Sequence, residues 1–226
     1  MGIDYNNIIV SDGLVFYIDA ANPRSYSGTG LTANGLVGGI GGTLINGVGF
    51  TSSNNGSFIF DGSDDYIAAS GTNFPLSNSA RTLNIWFYTK SSTWIADSNN
   101  LFSYGTNGTR QSFSIDFESY PTMQFYTWSD DINWNSFGPQ EGWKNVQVTY
   151  DGNTTCRVYE AGILVTTKTL GAQLNTVLSS NVQIGAITSL AGHFDSNISQ
   201  VSMYNRALSV QEIRQNYNAT KKRYGL

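Results

Sequence analysis

Three carboxylates stand on one bend near the start of the chain. Residues 58–67 read F-I-F-D-G-S-D-D-Y-I, which places Asp61, Asp64 and Asp65 between two short apolar runs. Phe58 and Phe60 flank Ile59 with the two-residue period of a strand. Gly62 accepts the positive φ of a tight reversal, and Tyr66 and Ile67 open the next strand. Carboxylates this close repel one another unless water, backbone N–H groups or a cation offset them. A turn that offers carboxylate and carbonyl oxygens suits Ca²⁺. The alternative is an Asx turn that only shapes the corner.

A second grouping could recognise sugar. Residues 120–143 read Y-P-T-M-Q-F-Y-T-W-S-D-D-I-N-W-N-S-F-G-P-Q-E-G-W. Aromatic faces stack on the C–H surfaces of pyranoses, while Asp, Asn and Tyr reach hydroxyl groups. The stretch reads as a polar loop carrying Trp128, Asp130, Asp131, Asn133 and Trp134, and Trp94 stands in another, S-S-T-W-I-A-D-S-N-N. Trp94 and Trp134 are the expected exposed platforms, and Trp128 the residue expected to end a strand and cap the core. The same aromatics could instead fold back onto the protein.

Acid–base catalysis finds little to work with. The four glutamates are Glu118, Glu141, Glu160 and Glu212, and no two share a strand. Asp116 and Glu118, two apart in S-I-D-F-E-S, share a face, near the separation of about 5–5.5 Å that retaining glycosidases use. Their neighbours do not complete a hydrolase pattern, so a solvated strand face and no catalytic residue are expected. His193 is the sole histidine and cannot build a His-rich metal site, and no G-x-S-x-G elbow is present. The single cysteine, Cys156, alternates with Val158 as a small core residue does.

The elements that must position these residues are strands. In 226 residues there are 24 Gly and 4 Pro, 13% aromatic residues and only 12% charged ones, the composition of short strands joined by polar turns. The net charge of −4 offers no basic field to nucleic acid. No run of 18 apolar residues spans a membrane. M-G-I-D-Y-N-N-I-I-V lacks the pattern of a secretory signal, so synthesis and folding in the cytoplasm are expected. Residues 1–12 read as an arm and 13–226 as one domain. Strands are expected over 13–20, 57–60, 65–70, 81–90, 101–104, 113–117, 123–128, 145–150, 155–159, 164–168, 181–185 and 197–204. The strand at 81–90 carries apolar bulk on both faces and should be central. Ser209 and Glu212 form a capping box, and Val210, Ile213 and Tyr217 share a helical face. Together these predict an all-β protein, a two-sheet antiparallel sandwich with one short C-terminal helix.

Several stretches recur in one order: G-L-V-F-Y-I-D-A-A-N-P at 13–23, F-D-G-S-D-D-Y-I at 60–67, T-L-N-I-W-F at 82–87, W-K-N-V-Q-V-T-Y-D-G at 143–152, R-V-Y-E-A-G-I-L-V at 157–165 and I-S-Q-V-S-M-Y-N-R-A-L-S-V-Q-E-I at 198–213. This series resembles the laminin G-like, concanavalin A-like jelly roll over residues 13–226. The opening S-D-G-L-V-F-Y-I-D-A-A-N-P-R-S-Y and the closing Y-N-R-A-L-S-V-Q-E-I-R-Q-N-Y-N-A-T-K-K-R-Y-G-L resemble the version carried by virion proteins of tailed phages. The resemblance implies a jelly roll that binds glycans or proteins, often with Ca²⁺. It implies Asp195 as a further calcium ligand near the last strand and Trp143 as a structural tryptophan. It also implies a virion surface protein, decoration or fibre, oligomeric within a particle, contacting other virion proteins and cell-surface glycans. A purely structural, subunit-joining role is the alternative, and a polysaccharide hydrolase the third reading.

Overall fold

Alternation of apolar and polar residues governs the architecture. The computed structural model describes residues 8–90, 99–119, 121–135, 141–178, 182–187, 189 and 192–226. Among them sixteen strands follow in chain order. The first eight are β1 (Leu14–Asp19), β2 (Thr32–Ala33), β3 (Gly42–Ile45), β4 (Gly49–Thr51), β5 (Ser57–Ile59), β6 (Tyr66–Ala69), β7 (Arg81–Thr89) and β8 (Asn99–Gly105). The remainder are β9 (Ser112–Ser119), β10 (Thr122–Tyr126), β11 (Ile132–Asn135), β12 (Gly142–Tyr150), β13 (Thr155–Glu160), β14 (Ile163–Thr169), β15 (Val182–Ile184) and β16 (Asn197–Tyr204). One helix, α1 (Val210–Thr220), precedes a closing 3₁₀ turn at Lys221–Tyr224.

The strands form two antiparallel sheets. The first has the order β14-β13-β12-β7-β16-β5-β4, with β1 also paired to β16. The second has the order β11-β10-β9-β8-β15-β6-β3-β2. As expected, β7 is central, lying between β12 and β16 with nearly every residue buried. Leu83, Ile85 and Phe87 of β7, Val146 and Val148 of β12 and Val201 and Met203 of β16 pack into one core. From the opposite sheet Phe102, Phe113, Ile115, Phe117, Met123 and Phe125 meet them. Each such side chain contributes roughly 1.5–3 kcal/mol by leaving water. This core holds the sheets in register and so fixes which residues must face outward.

The Gly-, Ser- and Asn-rich stretch at 24–49 holds β2 and β3 and ends where β4 begins. The pairings Thr32–Thr43 and Phe50–Phe58 draw its short apolar pieces onto sheet edges, where two or three residues suffice. Between the expected strands at 123–128 and 145–150, where a polar loop is expected, lies all of β11.

The outer face of the first sheet is roofed by the C-terminal segment. The capping box forms as expected, with Glu212 N donating to Ser209 Oγ (3.3 Å) and Ser209 N to Glu212 Oε2 (2.8 Å). The Arg206 guanidinium grips the same carboxylate at 2.6 and 3.0 Å and holds its pKa down to about 2. Trp86 stacks on Tyr217 and on Tyr224, with ring centroids 5.6 and 4.1 Å away. Trp143 lies 4.7 Å from Tyr224 in the same buried cluster. Arg223 closes the segment onto Asp19 at 2.7 Å. Residues 8–12, the described part of the arm, lie against this roof. Val10 N donates to Asn216 Oδ1 at 2.8 Å, and Val10 O accepts from the Tyr204 hydroxyl at 3.0 Å.

Candidate functional site

The outer face of the second sheet follows from a strict alternation in β9. Phe113, Ile115 and Phe117 enter the core, so Ser112, Ser114, Asp116 and Glu118 must face the other way. Register then sets their neighbours. Asp116 lies opposite Asn100 of β8 and Gln124 of β10, and Gln124 opposite Asn133 of β11. Ser114 lies opposite Ser103 and Tyr126. Gln183 of β15 lies opposite Ser103 and extends the polar face across the sheet.

Part of this face is linked together. Gln124 Nε2 donates to Asn133 Oδ1 at 2.9 Å, and Asn133 Nδ2 donates to Glu118 Oε2. Asp116 stands apart. Only 6% of its surface is exposed, and among the described residues its Oδ1 has no hydrogen-bond partner. Burial, and then the charges of Asp131 and Glu118, push its carboxyl up to about 7. Gln183 Oε1 is likewise buried without a partner. Orphaned acceptors inside a protein are costly.

An aromatic corner closes one end of the face. The turn 127–131 joins β10 to β11 and is pinned from within. Thr127 N donates to Asp131 Oδ1 at 2.7 Å, and Asp130 N to Thr127 Oγ1 at 3.1 Å. Asp130 Oδ2 accepts from Arg110 Nε (2.6 Å) and Gly171 N (3.0 Å). Burial alone would raise its carboxyl, but these donors and the Arg110 charge outweigh burial and hold it below the usual range. Lys168 Nζ donates to the Asp131 carbonyl at 2.6 Å. On this anchored turn Trp128 adopts φ +79°, a conformation that bulky side chains rarely take. It is 41% exposed, and its ring meets Tyr126 edge-on at 5.6 Å. Strain of this kind persists where surroundings enforce it, often at binding sites.

The expected sugar residues are therefore redistributed. Trp128 is the exposed aromatic. Trp134, expected as an exposed platform, is buried in the core, because β11 alternates and turns Ile132 and Trp134 inward. Its Nε1 donates to Glu160 Oε1 at 2.6 Å. Asn133 lies on the polar face, Asp131 at its corner, and Asp130 in the ion pair with Arg110. Trp94 lies outside the described residues. Gln124, Tyr126 and Gln183 join this face by register, and Asp116, expected only as half of a carboxylate pair, stands at its centre. The alternation of S-F-S-I-D-F-E-S already contained the signal.

The acidic turn crosses between the sheets, from β5 of the first to β6 of the second. One carboxylate oxygen each from Asp61, Asp64 and Asp65 lies within 4.8 Å of the others. Ser63 N donates to Asp61 Oδ1 at 2.8 Å, chiefly accounting for a lowered Asp61 pKa. Asp61 N donates to Asp65 Oδ2 at 3.1 Å. Asp65 is 3% exposed, and its Oδ1 has no partner among the described residues. Burial, then the Asp61 charge, raises its pKa. Asp195 lies beside the turn, where a Cβ on Gly62 would stand 2.6 Å from its own Cβ. Its carboxylate is taken by Lys90 and stays outside the three-carboxylate group.

The chain belongs to the concanavalin A-like lectin/glucanases superfamily, whose laminin G-type profile matches residues 61–214. It has no match among the curated protein sequences. It is similar in fold to domain 4 of AbnA, a GH43 extracellular arabinanase from Geobacillus stearothermophilus, solved in complex with arabinotriose. That likeness has a TM-score of 0.66 at 15% identity and covers 90% of this chain and 98% of that one. The receptor binding domain of the botulinum neurotoxin C/D mosaic serotype aligns with a TM-score of 0.72 at 11% identity, covering 92% of this chain and 51% of that one. The Trypanosoma rangeli sialidase in complex with sialic acid aligns at 0.63 and 15% identity, covering 93% and 33%. This chain thus spans nearly all of the arabinanase domain, about half of the toxin domain and a third of the sialidase.

Proposed function

We propose that the protein is a non-catalytic glycan-binding module displayed on the surface of a tailed-phage particle. The observation that carries the glycan half is Asp116, a buried carboxylate with an orphaned oxygen on a polar sheet face that ends in the exposed Tyr126–Trp128 corner. Saccharides call for this pairing of hydroxyl acceptors with an aromatic platform. Repeated copies on a particle would raise weak single-site affinity through multivalency. The likeness of the two chain ends to virion versions of the domain supports the particle. The hydrogen bond from Asn133 to Glu118 favours binding over hydrolysis, since it occupies an oxygen of the carboxylate that would have to act as nucleophile. The test is binding to immobilised glycans by the wild type and by Trp128→Ala, with reducing-sugar release measured alongside. Binding that drops at least tenfold in the variant, without sugar release, is expected. Release of reducing sugar that Glu118→Gln abolishes would overturn the non-catalytic reading. Immunogold labelling of purified particles tests the location.

The proposal includes Ca²⁺ at the acidic turn. The donors are all oxygen, and the buried, unpartnered Asp65 Oδ1 is the observation that singles this turn out. A cation there would reverse the raised pKa of Asp65.

A second reading, a structural protein that joins subunits, draws on β14. It is an edge strand of the first sheet, and Ile163, Leu164 and Val165 are exposed along it. Such edges pair readily with another chain. Light scattering would show a dimer or larger oligomer that Leu164→Lys dissociates, while a monomer at high concentration would count against it.

A further inference from the structure

Resting on the glycan reading above, we infer that this face takes neutral saccharides and rejects anionic ones. The eight strands of the second sheet carry no Lys, Arg or His, and Asp116 and Glu118 are their only charged side chains. Asp131 adds a third carboxylate at the aromatic corner, close enough to raise the Tyr126 hydroxyl pKa together with Asp116, after burial.

All twelve Lys and Arg of the chain fall within the described residues, and the ones near this sheet are already occupied. Arg110 is held by Asp130 (2.6 Å), Lys168 by the Asp131 carbonyl (2.6 Å), and Lys90 by Asp195. Arg81 reaches inward instead, to Tyr104 Oη at 2.7 Å and Thr176 Oγ1 at 3.0 Å. A sialate, uronate or sulfate on the face would therefore meet two or three like charges, while the one cation near it that is not paired with a carboxylate or turned inward is Lys168, whose ammonium bonds the Asp131 carbonyl between the Asp130 and Asp131 carboxylates.

The donor–acceptor match points the same way. An ionised carboxylate only accepts hydrogen bonds. The orphaned Oδ1 of Asp116, and the Glu118 oxygen that Asn133 does not bond, can accept the hydroxyl groups of a neutral sugar. A ligand carboxylate in the same place offers acceptors to acceptors. The repulsion acts over a few ångströms and weakens with salt.

A glycan array of neutral, sialylated, uronate-containing, sulfated and amino-sugar oligosaccharides, read at pH 8 in 50 mM salt as roughly fits this screening range, tests it. Hits confined to neutral glycans are expected. Calorimetry with the strongest neutral hit and its uronate analogue should then show at least tenfold weaker binding of the acid. That gap should narrow in 0.5 M salt, where screening is nearly complete at about 4–5 Å, and in the Asp116→Asn/Glu118→Gln double variant. Hits dominated by charged glycans would overturn the inference and leave the glycan reading standing. So would a gap that neither salt nor the double variant narrows. An array without hits would overturn both. Circular dichroism of the double variant separates lost selectivity from lost folding.

Discussion

The two sheets share one building rule and put it to opposite uses. In the first, the outward aromatics Trp86 and Trp143 are roofed by Tyr217 and Tyr224 of the C-terminal segment, and most outward amide atoms find partners, although Trp86 Nε1, Trp143 Nε1 and Gln147 Oε1 are buried there without one among the described residues. Asn145 Nδ2 donates to Asn84 Oδ1 at 2.8 Å, and Gln147 Nε2 to the Ile213 carbonyl at 3.1 Å. In the second, the only α-helix among the described residues is elsewhere, and Asp116 and Gln183 keep buried oxygens without partners. An outward face that a protein covers with its own chain serves stability. Orphaned buried atoms occur on both faces, so what sets the second apart is that no part of the described chain roofs its corner, where an exposed tryptophan is held at positive φ.

The comparison can be broken most forcefully at the roof. Trp86→Ala removes a fully buried indole from between two tyrosine rings and should cost about 3–5 kcal/mol, read as a lower denaturant midpoint. Glycan binding by the fraction that remains folded should not change.

The next effect belongs to Asp116 and runs the other way. Its pKa is raised in the folded state, so its carboxyl favours the fold while protonated. That contribution is complete below the unfolded value of 3.8 and is lost as pH rises towards about 7. Asp116→Asn should therefore stabilise the protein at pH 8, by up to about 4 kcal/mol, and have little effect at pH 4. A pH-independent difference between the two proteins would place the carboxyl in an ordinary, solvated setting. Trp128→Gly, which relieves the positive φ, should leave stability within about 1 kcal/mol of wild type or raise it slightly, while binding falls. Smallest is calcium. Millimolar Ca²⁺ should raise the melting temperature by a few degrees, about the linkage expected at ten- to hundredfold saturation, and Asp65→Asn should abolish that rise.

Sequence made the first sheet plain and the second only partly so. β7, β12, β13, β16 and the capped helix have long, regular patterns, and their positions follow from periodicity. So does the acidic turn, because Asp61-Gly62 and the flanking aromatics are local signals. β11 was hidden because I-N-W-N is four residues of weak pattern inside a run of turn formers. It becomes a strand only by pairing with β10, a contact that sequence spacing does not display. Trp134 went with it, since its inward direction depends on that register. Asp116 and Glu118 were visible as a same-face pair, but their partners, Gln124, Asn133 and Asp131, arrive from a different hairpin. Asp195 came close to its expected place, but Lys90, more than a hundred residues earlier, claims its carboxylate.

The account rests most heavily on the second sheet's outer face being where a saccharide binds. An amide NMR titration of the labelled full-length protein with the strongest neutral hit addresses it directly. The account predicts shift changes at residues 112–118 and 122–133, with residues 81–89 and 210–224 unmoved. Changes centred on the roofed first sheet, or spread without focus over the rims, would contradict it.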